Sequence, residues 1–595
     1  MAGNYWDSTA ARRLGRRGFL GVLGAGGAGL AALTAGCGSS NNNKNNAAKA
    51  PSASSGAASA SATAAGAAGS GTAAAQPSAA ANLPAAGAGG SMRGHDNGDP
   101  ASLDYIKTWS YRSLMYTSMV YPRLLKFDTK PGVGPIDFLI APDLATAMPE
   151  QPDPTTYIFK LHPMKWEQKD PLNGRALTAT DVAKNWDRFQ TEHPSRSLLS
   201  DVTKVEAVDP QTVKFTLSKP LGPFVNHMGH QGVFYIQPYE LFGTGKLEKD
   251  MWSAGPWLFK GYEIGSKLTF QRNPDYFVQD RPVLKEYIFN LIPDTSTTIS
   301  ALRSKQLDTL TWTAIVGPND VASLKKDLPD ATFLKYFSQG NGWFGADLND
   351  KNFQDKRVRQ AISMAMNRDD QVKVGQEGQW ALPWGVLSQW YFDPKQNAFP
   401  NAKYYQFNLK DAKALLDASG FKPTDNYDMI ASAVWTPVQL QQAQLQQEQI
   451  KALGFNTTIK QLDFAQFYAK TTVAGTWQGG FATSANLVGA DPNEYLSIFW
   501  TPDSPRLIAP GLNPLLKADT ELLNLIEGQK RELDVDKRKA ILKDTANVMA
   551  DRMYNIPTTV GAFYHVHRAD VKNMNWIFTY SEGSEYLLDS YIQGS

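Results

Sequence analysis

Residues 343–372 read WFGADLNDKNFQDKRVRQAISMAMNRDDQV, and this stretch decides the fold class. Trp343 to Ala346 alternate large and small side chains and run into Asp347-Leu348-Asn349, which predicts a strand ending in a turn. Asp355 stands where a helix N-cap belongs, its carboxylate placed to accept from an otherwise unpaired amide of the first turn. Val358, Ala361, Ile362, Ala365 and Met366 then recur at helical spacing. This puts them on one apolar face and leaves Arg357, Arg359 and Gln360 on a solvated one. Asn367-Arg368-Asp369 closes the unit. Strand, turn and amphipathic helix in this order point to an α/β layer.

At 595 residues the chain is too long for one core, and two or three domains are expected. Lys+Arg 59 against Asp+Glu 57 leaves a net charge of +2, which argues against a nucleic-acid or polyanion partner. Aromatic residues make up 11% of the chain, with 15 Trp, enough to build cores and also to line a cleft that stacks on organic solutes.

The single cysteine reports the compartment by its position. Arg16-Arg17-Gly18-Phe19-Leu20, preceded by Arg12 and Arg13, is a twin-arginine pattern. It leads through a weakly apolar Gly/Ala/Leu run to Leu33-Thr34-Ala35-Gly36-Cys37. That run is too glycine-rich for a transmembrane span, and the residues before the thiol resemble a bacterial lipobox. Residues 1–37 are expected to be an export signal, with Arg16 and Arg17 read by the export machinery and Cys37 the lipid attachment point. Residues 38–91 collapse to Ala, Ser, Gly, Asn, Thr and Pro, with nothing to bury against the entropy of ordering, and form a tether.

Beyond the tether, short motifs follow one another in a fixed order. Ser102-Leu103-Asp104 precedes Ala141-Pro142-Asp143-Leu144-Ala145. Thr156 to Leu161 and Thr212 to Leu217 alternate as half-buried strands. Thr178-Ala179-Thr180-Asp181 is a capping box opening a helix that buries Val182, Trp186 and Phe189. Gly255-Pro256-Trp257 to Phe270 reads as a hairpin turning at Gly265-Ser266, and Asn273-Pro274-Asp275-Tyr276-Phe277 follows. Ala301 to Asp308, a helix from Asn408 to Ser419 stopped by Gly420, and Asp491-Pro492-Asn493-Glu494-Tyr495-Leu496 complete the series. With D-x-R-V-R-Q-A-I-x-x-A-x-N-R in the opening stretch, this order resembles the family 5 extracellular solute-binding proteins. Those are the dipeptide-, oligopeptide- and nickel-binding receptors of ABC importers. The resemblance runs from about residue 98 to the C-terminus.

Motifs for catalysis do not turn up. The sequence has no G-x-S-x-G elbow, Walker-A loop, H-E-x-x-H or paired-cysteine pattern. His227/His230 and His565/His567 can each present two imidazoles on one face, but neither pair has an evident third ligand. No enzyme, metal or cofactor is expected.

The resemblance implies an α/β, two-lobed periplasmic-binding-protein fold with an extra subdomain and a ligand cleft between the lobes. Lobe I would comprise 92–120, 223–315 and 546–595, its extra subdomain 121–222, and lobe II 316–545. By position, the ligand-binding candidates are Trp109, Ser110, Tyr111, Trp343, Phe344, Trp384, Trp435, Thr436, Ser484, Asn486 and Asp491. Peptide-binding members place an aspartate three residues before the acid of the D-P motif, to pair with the ligand's ammonium. Here that position is Val488, and no acidic residue lies between Asp463 and Asp491. Burying an ammonium without a carboxylate is costly, so a free-amine peptide needs Asp491, Glu494 or a residue from elsewhere to pair with it. Neutral or N-blocked peptides, oligosaccharides and other polar solutes gain weight beside it. The implied role is a lipid-anchored monomeric receptor on the outer face of the cell membrane, delivering a small solute to a permease driven by separate ATPase subunits. A secreted two-lobed enzyme or a surface sensor lipoprotein is the remoter alternative.

Overall fold

A computed structural model describes residues 83–107, 110–337, 340–375, 377–432, 437–463, 466–467, 469–473, 475–487, 489–578, 583 and 585–594. Arg16, Arg17, Cys37, Trp109, Trp435, Thr436 and Val488 lie outside the described residues. Two principal sheets organise the rest. In the first, Ser91–Asp96 runs parallel to Glu286–Leu291, which continues antiparallel through Lys267–Arg272 to Trp257–Glu263. The second is five-stranded, in the order Asn456–Gln461, Asn426–Ala431, Gly480–Leu487, Gly340–Ala346, Ile556–Pro557. Its first three strands are parallel neighbours, and Gly340–Ala346 is antiparallel to both flanking strands. A third sheet sets Thr559–His567 between Thr332–Phe337 and Gly378–Trp380. Glu150–Asp153, Thr156–Lys160, Thr212–Leu217 and Val202–Asp209 form a separate antiparallel sheet, covered by the helix Ala179–Glu192.

The local signals act as the residue types dictate. Asp355 caps the helix Lys356–Ala365 by accepting from the amide of Arg357. Thr178 and Asp181 form the capping box, and Gly420 takes the left-handed conformation (φ +76°) that ends Leu409–Ser419. Asn367 caps a further helix, Arg368–Val374, so it opens one unit as it closes another.

One expectation needs correction. The helix Lys356–Ala365 has no solvated Arg359/Gln360 side: these residues are 3% and 1% exposed, and of the three polar residues assigned there only Arg357 faces water. Arg359 donates to the carbonyls of Phe353 and Gln354 and to those of Arg552 and Met553. Gln360 donates to the carbonyl of Asp551. These carbonyls belong to the C-terminal ends of Lys351–Gln354 and Val535–Arg552, where helix carbonyls lack intrahelical partners and carry partial negative charge. The buried arginine closes two helix ends at once.

Among the described residues no helix is long and apolar enough to cross a membrane.

Candidate functional site

The antiparallel pairing of Gly340–Ala346 with Gly480–Leu487 sets Asn341 opposite Asn486 and Trp343 opposite Ser484. Residues two apart on a strand share a face, so these four side chains form one wall. All are buried, between 0% and 4% exposed. Asn341 donates its amide to the Tyr495 hydroxyl (2.9 Å) and the Pro383 carbonyl (2.5 Å). Five polar atoms of the wall have no hydrogen-bond partner among the described residues: Asn341 Oδ1, Trp343 Nε1, Ser484 Oγ, and both Oδ1 and Nδ2 of Asn486. Buried polar atoms are satisfied in the great majority of cases, so five on one face of two strands call for a partner, water or solute, beyond the described residues. The Trp343 ring stacks on Trp477 at 5.5 Å between centroids. Trp477 also helps line a concavity of about 300 Å³, with Asn349, Gly475, Thr476, Gln478, Ser504, Leu507 and residues 509–513.

The other face of the same strands is ordinary core. Phe344 packs on Phe481 at 5.2 Å, and Phe481 meets Phe353, Tyr427 and Phe455. Trp384 is fully buried and gives its indole N–H to the Trp390 carbonyl at 3.0 Å. Ser110 precedes the helix Tyr111–Val120 without capping it through its side chain, and Tyr111 meets Trp312 edge-on at 6.4 Å. The structure thus brings Trp343, Ser484 and Asn486 together, and sets Phe344 and Trp384 in packing.

Asp491 caps the helix Pro492–Phe499 and holds Arg538 through two hydrogen bonds of 2.5 and 2.7 Å. Asn226 adds a third partner at 2.9 Å. Burial pushes this carboxyl upward, but the Arg538 charge and hydrogen bonds outweigh that and keep it below the usual carboxylate range. Three residues on, Glu494 is 3% exposed with Oε1 unpaired, and burial raises it to about 7. Two histidines face it. His227 Nδ1 stands 3.4 Å from Oε1 and His230 Nε2 3.8 Å from Oε2. Asn493 Nδ2 lies 3.2 Å from His227 Nε2, and the Gly232 amide donates to His230 Nδ1. Both contacts leave the proton on the ring nitrogen that faces Glu494. Burial lowers His227 to about 4 and lowers His230 as well, so both are neutral donors at neutral pH. Among the described residues no cluster of three His, Cys, Asp or Glu can hold a metal ion. His565 and His567 do share a face, but their near nitrogens contact each other at 3.2 Å.

Sequence reasoning does not single out Asn341 or Tyr495 as site residues, and it offers Glu494 only as an alternative partner for a ligand ammonium. The register 341↔486 was the signal that would have found Asn341, and it is invisible before the strands are paired.

Residues 140–505 match the family described as bacterial extracellular solute-binding proteins, family 5 middle region. Among curated relatives, "Di/tripeptide-binding protein 2" of Pseudomonas aeruginosa is 23% identical over 466 residues, 73% of this chain and 83% of that protein. A "Dipeptide-binding protein" of the same species is 25% identical over 510 residues, 78% of this chain and 89% of the relative. Among solved structures, the ABC transporter substrate-binding protein CtaP of Listeria monocytogenes superposes with TM-score 0.69 at 21% identity, covering 85% of this chain and 99% of that one. The periplasmic binding protein DppA of Helicobacter pylori, in complex with the peptide STSA, gives TM-score 0.67 at 22% identity, covering 85% and 98%. These likenesses show the fold, a mixed α/β two-lobed binding-protein architecture. With the family match spanning more than half of its length, the chain belongs to the bacterial extracellular solute-binding proteins of family 5.

Proposed function

We propose that this chain is the solute-binding subunit of an ABC importer and captures a small peptide-class solute for delivery to a membrane permease. Family membership supports the receptor role, and relatives named for di- and tripeptides support the ligand class. The single observation that carries binding is the wall of Asn341, Trp343, Ser484 and Asn486, whose five polar atoms have no partner among the described residues. Lobe boundaries near 315 and 546, with an extra subdomain over 121–222, would place this wall in the second lobe, facing the first across the cleft. Closure of the lobes then buries the solute and signals the loaded state. Ser110 and Tyr111 would contribute from the first lobe, with Trp109, Trp435 and Thr436 as further contacts. The twin arginines at 16 and 17 and the lipobox before Cys37 support export and a lipid anchor, placing the receptor at the outer face of the cell membrane as a monomer. It performs no chemistry on its ligand.

An oligosaccharide or other uncharged polar solute is the second reading. It is favoured by the uncharged composition of the wall and by valine at position 488.

A thermal-unfolding panel tests the proposal. A ligand at a hundred times its dissociation constant adds about 2.7 kcal/mol, a visible rise in Tm. Stabilisation by short peptides is expected; stabilisation by none of the peptides, oligosaccharides or nickel salts tried, or turnover of a bound solute, would contradict the receptor reading.

A further inference from the structure

We propose that Asn486, with Asn341 opposite it on the paired strand, sets the ligand class: it takes a neutral amide or hydroxyl group and not a charged amine. The inference rests on the receptor reading above. Both amide atoms of Asn486 are unpaired at 1% exposure, so one side chain offers one donor and one acceptor side by side. A secondary amide or a hydroxyl can meet both; an ammonium can only donate, and would leave the Asn486 N–H facing a cation. Its neighbours on the wall repeat this character. Asn341 Oδ1 accepts, Trp343 Nε1 donates, and Ser484 Oγ does either. No ionisable side chain belongs to the wall.

Asn341 is held by its own amide nitrogen, committed to Tyr495 and Pro383, which leaves its Oδ1 as an unpaired acceptor. Asp491, the nearest acid in the sequence that follows, is held by Arg538 and Asn226. Glu494 is the rival carboxylate. Its Oε1 and Oε2 face His227 Nδ1 at 3.4 Å and His230 Nε2 at 3.8 Å, neither contact a hydrogen bond, so it enters the test below as the competing anchor. A site built to exclude a partner lacking the right hydrogen bonds discriminates strongly, because its own buried groups are then left unpaired.

The test is calorimetric titration of the whole mature chain with trialanine, N-acetyl-trialanine amide and maltotriose. Wild type is compared with Asn486→Leu, Asn486→Asp and Glu494→Gln. The blocked peptide is expected to bind as tightly as the free one or more tightly. Asn486→Leu should lose about tenfold or more in affinity, the scale of one lost hydrogen-bonding match, while its Tm stays level or rises because two unpaired buried atoms are removed. A purely structural asparagine would instead lower Tm and leave affinity in proportion. Asn486→Asp should turn preference toward the free amine, which keeps the test usable if the leucine variant folds poorly. If maltotriose alone binds and Asn486→Leu abolishes it, the wall stands and the peptide reading falls. If the free peptide binds about tenfold tighter than the blocked one, and Glu494→Gln erases that gap, the proposal is overturned and Glu494 is the anchor. Wild-type affinity in Asn486→Leu, or no binding by any of the three probes, overturns it too.

Discussion

Asp491 and Arg538 form a fully buried, two-pronged ion pair, with Oδ1–Nη2 at 2.5 Å and Oδ2–Nη1 at 2.7 Å. The guanidinium also lies over the Trp390 ring at 4.7 Å and donates to Gln529, while Asp491 caps Pro492–Phe499 and binds Asn226. The pair therefore pins a helix start, the long helix Val535–Arg552, and the segment Phe224–Gly229 together. This is a structural use of the acid in a motif whose position suggested ligand contact. Removing either partner strands a buried charge, which costs about 3–5 kcal/mol. Asp491→Asn and Arg538→Met are each expected to lose stability on that scale in denaturant unfolding, and the double variant to lose less than the sum. Additive losses would show that the two do not act as a pair.

Glu494 gives a pH signature. Its folded value, about 7, lies above the ordinary 4.5, so the folded chain holds the proton more tightly than the unfolded chain does. The stabilising contribution is complete below about 4.5 and is lost as pH rises through about 7. Glu494→Gln keeps the shape and removes the titration. Relative to this variant, wild type should lose up to about 3 kcal/mol between pH 4.5 and 8, measured by urea unfolding. The lowered histidines oppose this on the acid side in both proteins and largely cancel in the difference. A flat difference across that range would refute the assignment.

Much of the fold was legible because its signals are local. Caps at Asp355, Thr178/Asp181 and Asn408, the stop at Gly420, and the period-two strands at 156–160 and 212–217 depend only on neighbours in sequence. What failed was non-local. A helical wheel cannot see that carbonyls from residues 353–354 and 552–553 converge on Arg359 and make the polar side of the helix a buried one. Nor can motif spacing reveal that His227 and Glu494, so distant in the chain, face one another. Trp343 was legible as an aromatic on a strand; that its N–H would be left unpaired beside Asn486 follows only from the register.

Gly489 leaves room for the Glu494 carboxyl. A Cβ at 489 would fall 1.0 Å from Glu494 Oε2, an impossible contact. Gly489→Ala should cost about 1–3 kcal/mol as the glutamate is displaced. The double variant with Glu494→Ala should recover most of that loss in thermal unfolding. No recovery would mean that backbone strain, not the carboxyl, sets the requirement.

Trp343 separates packing from recognition. Trp343→Phe keeps a ring against Trp477 but lacks the unpaired N–H, so stability should fall by less than about 1.5 kcal/mol while ligand affinity drops. Trp343→Ala removes the stack and should cost about 3–5 kcal/mol. Equal affinity in wild type and Trp343→Phe would take this indole out of the recognition wall.

The most direct test of the account is hydrogen exchange of the mature chain, read by mass spectrometry with and without a saturating short peptide. Protection is expected at residues 381–386 and 489–491 beside the wall, and at the paired strands 340–346 and 480–487. Protection confined to 475–478 and 504–513, around the concavity that Trp477 helps line, or no change at a ligand concentration that raises Tm, would contradict the claim that solute is captured on the Asn341–Asn486 wall.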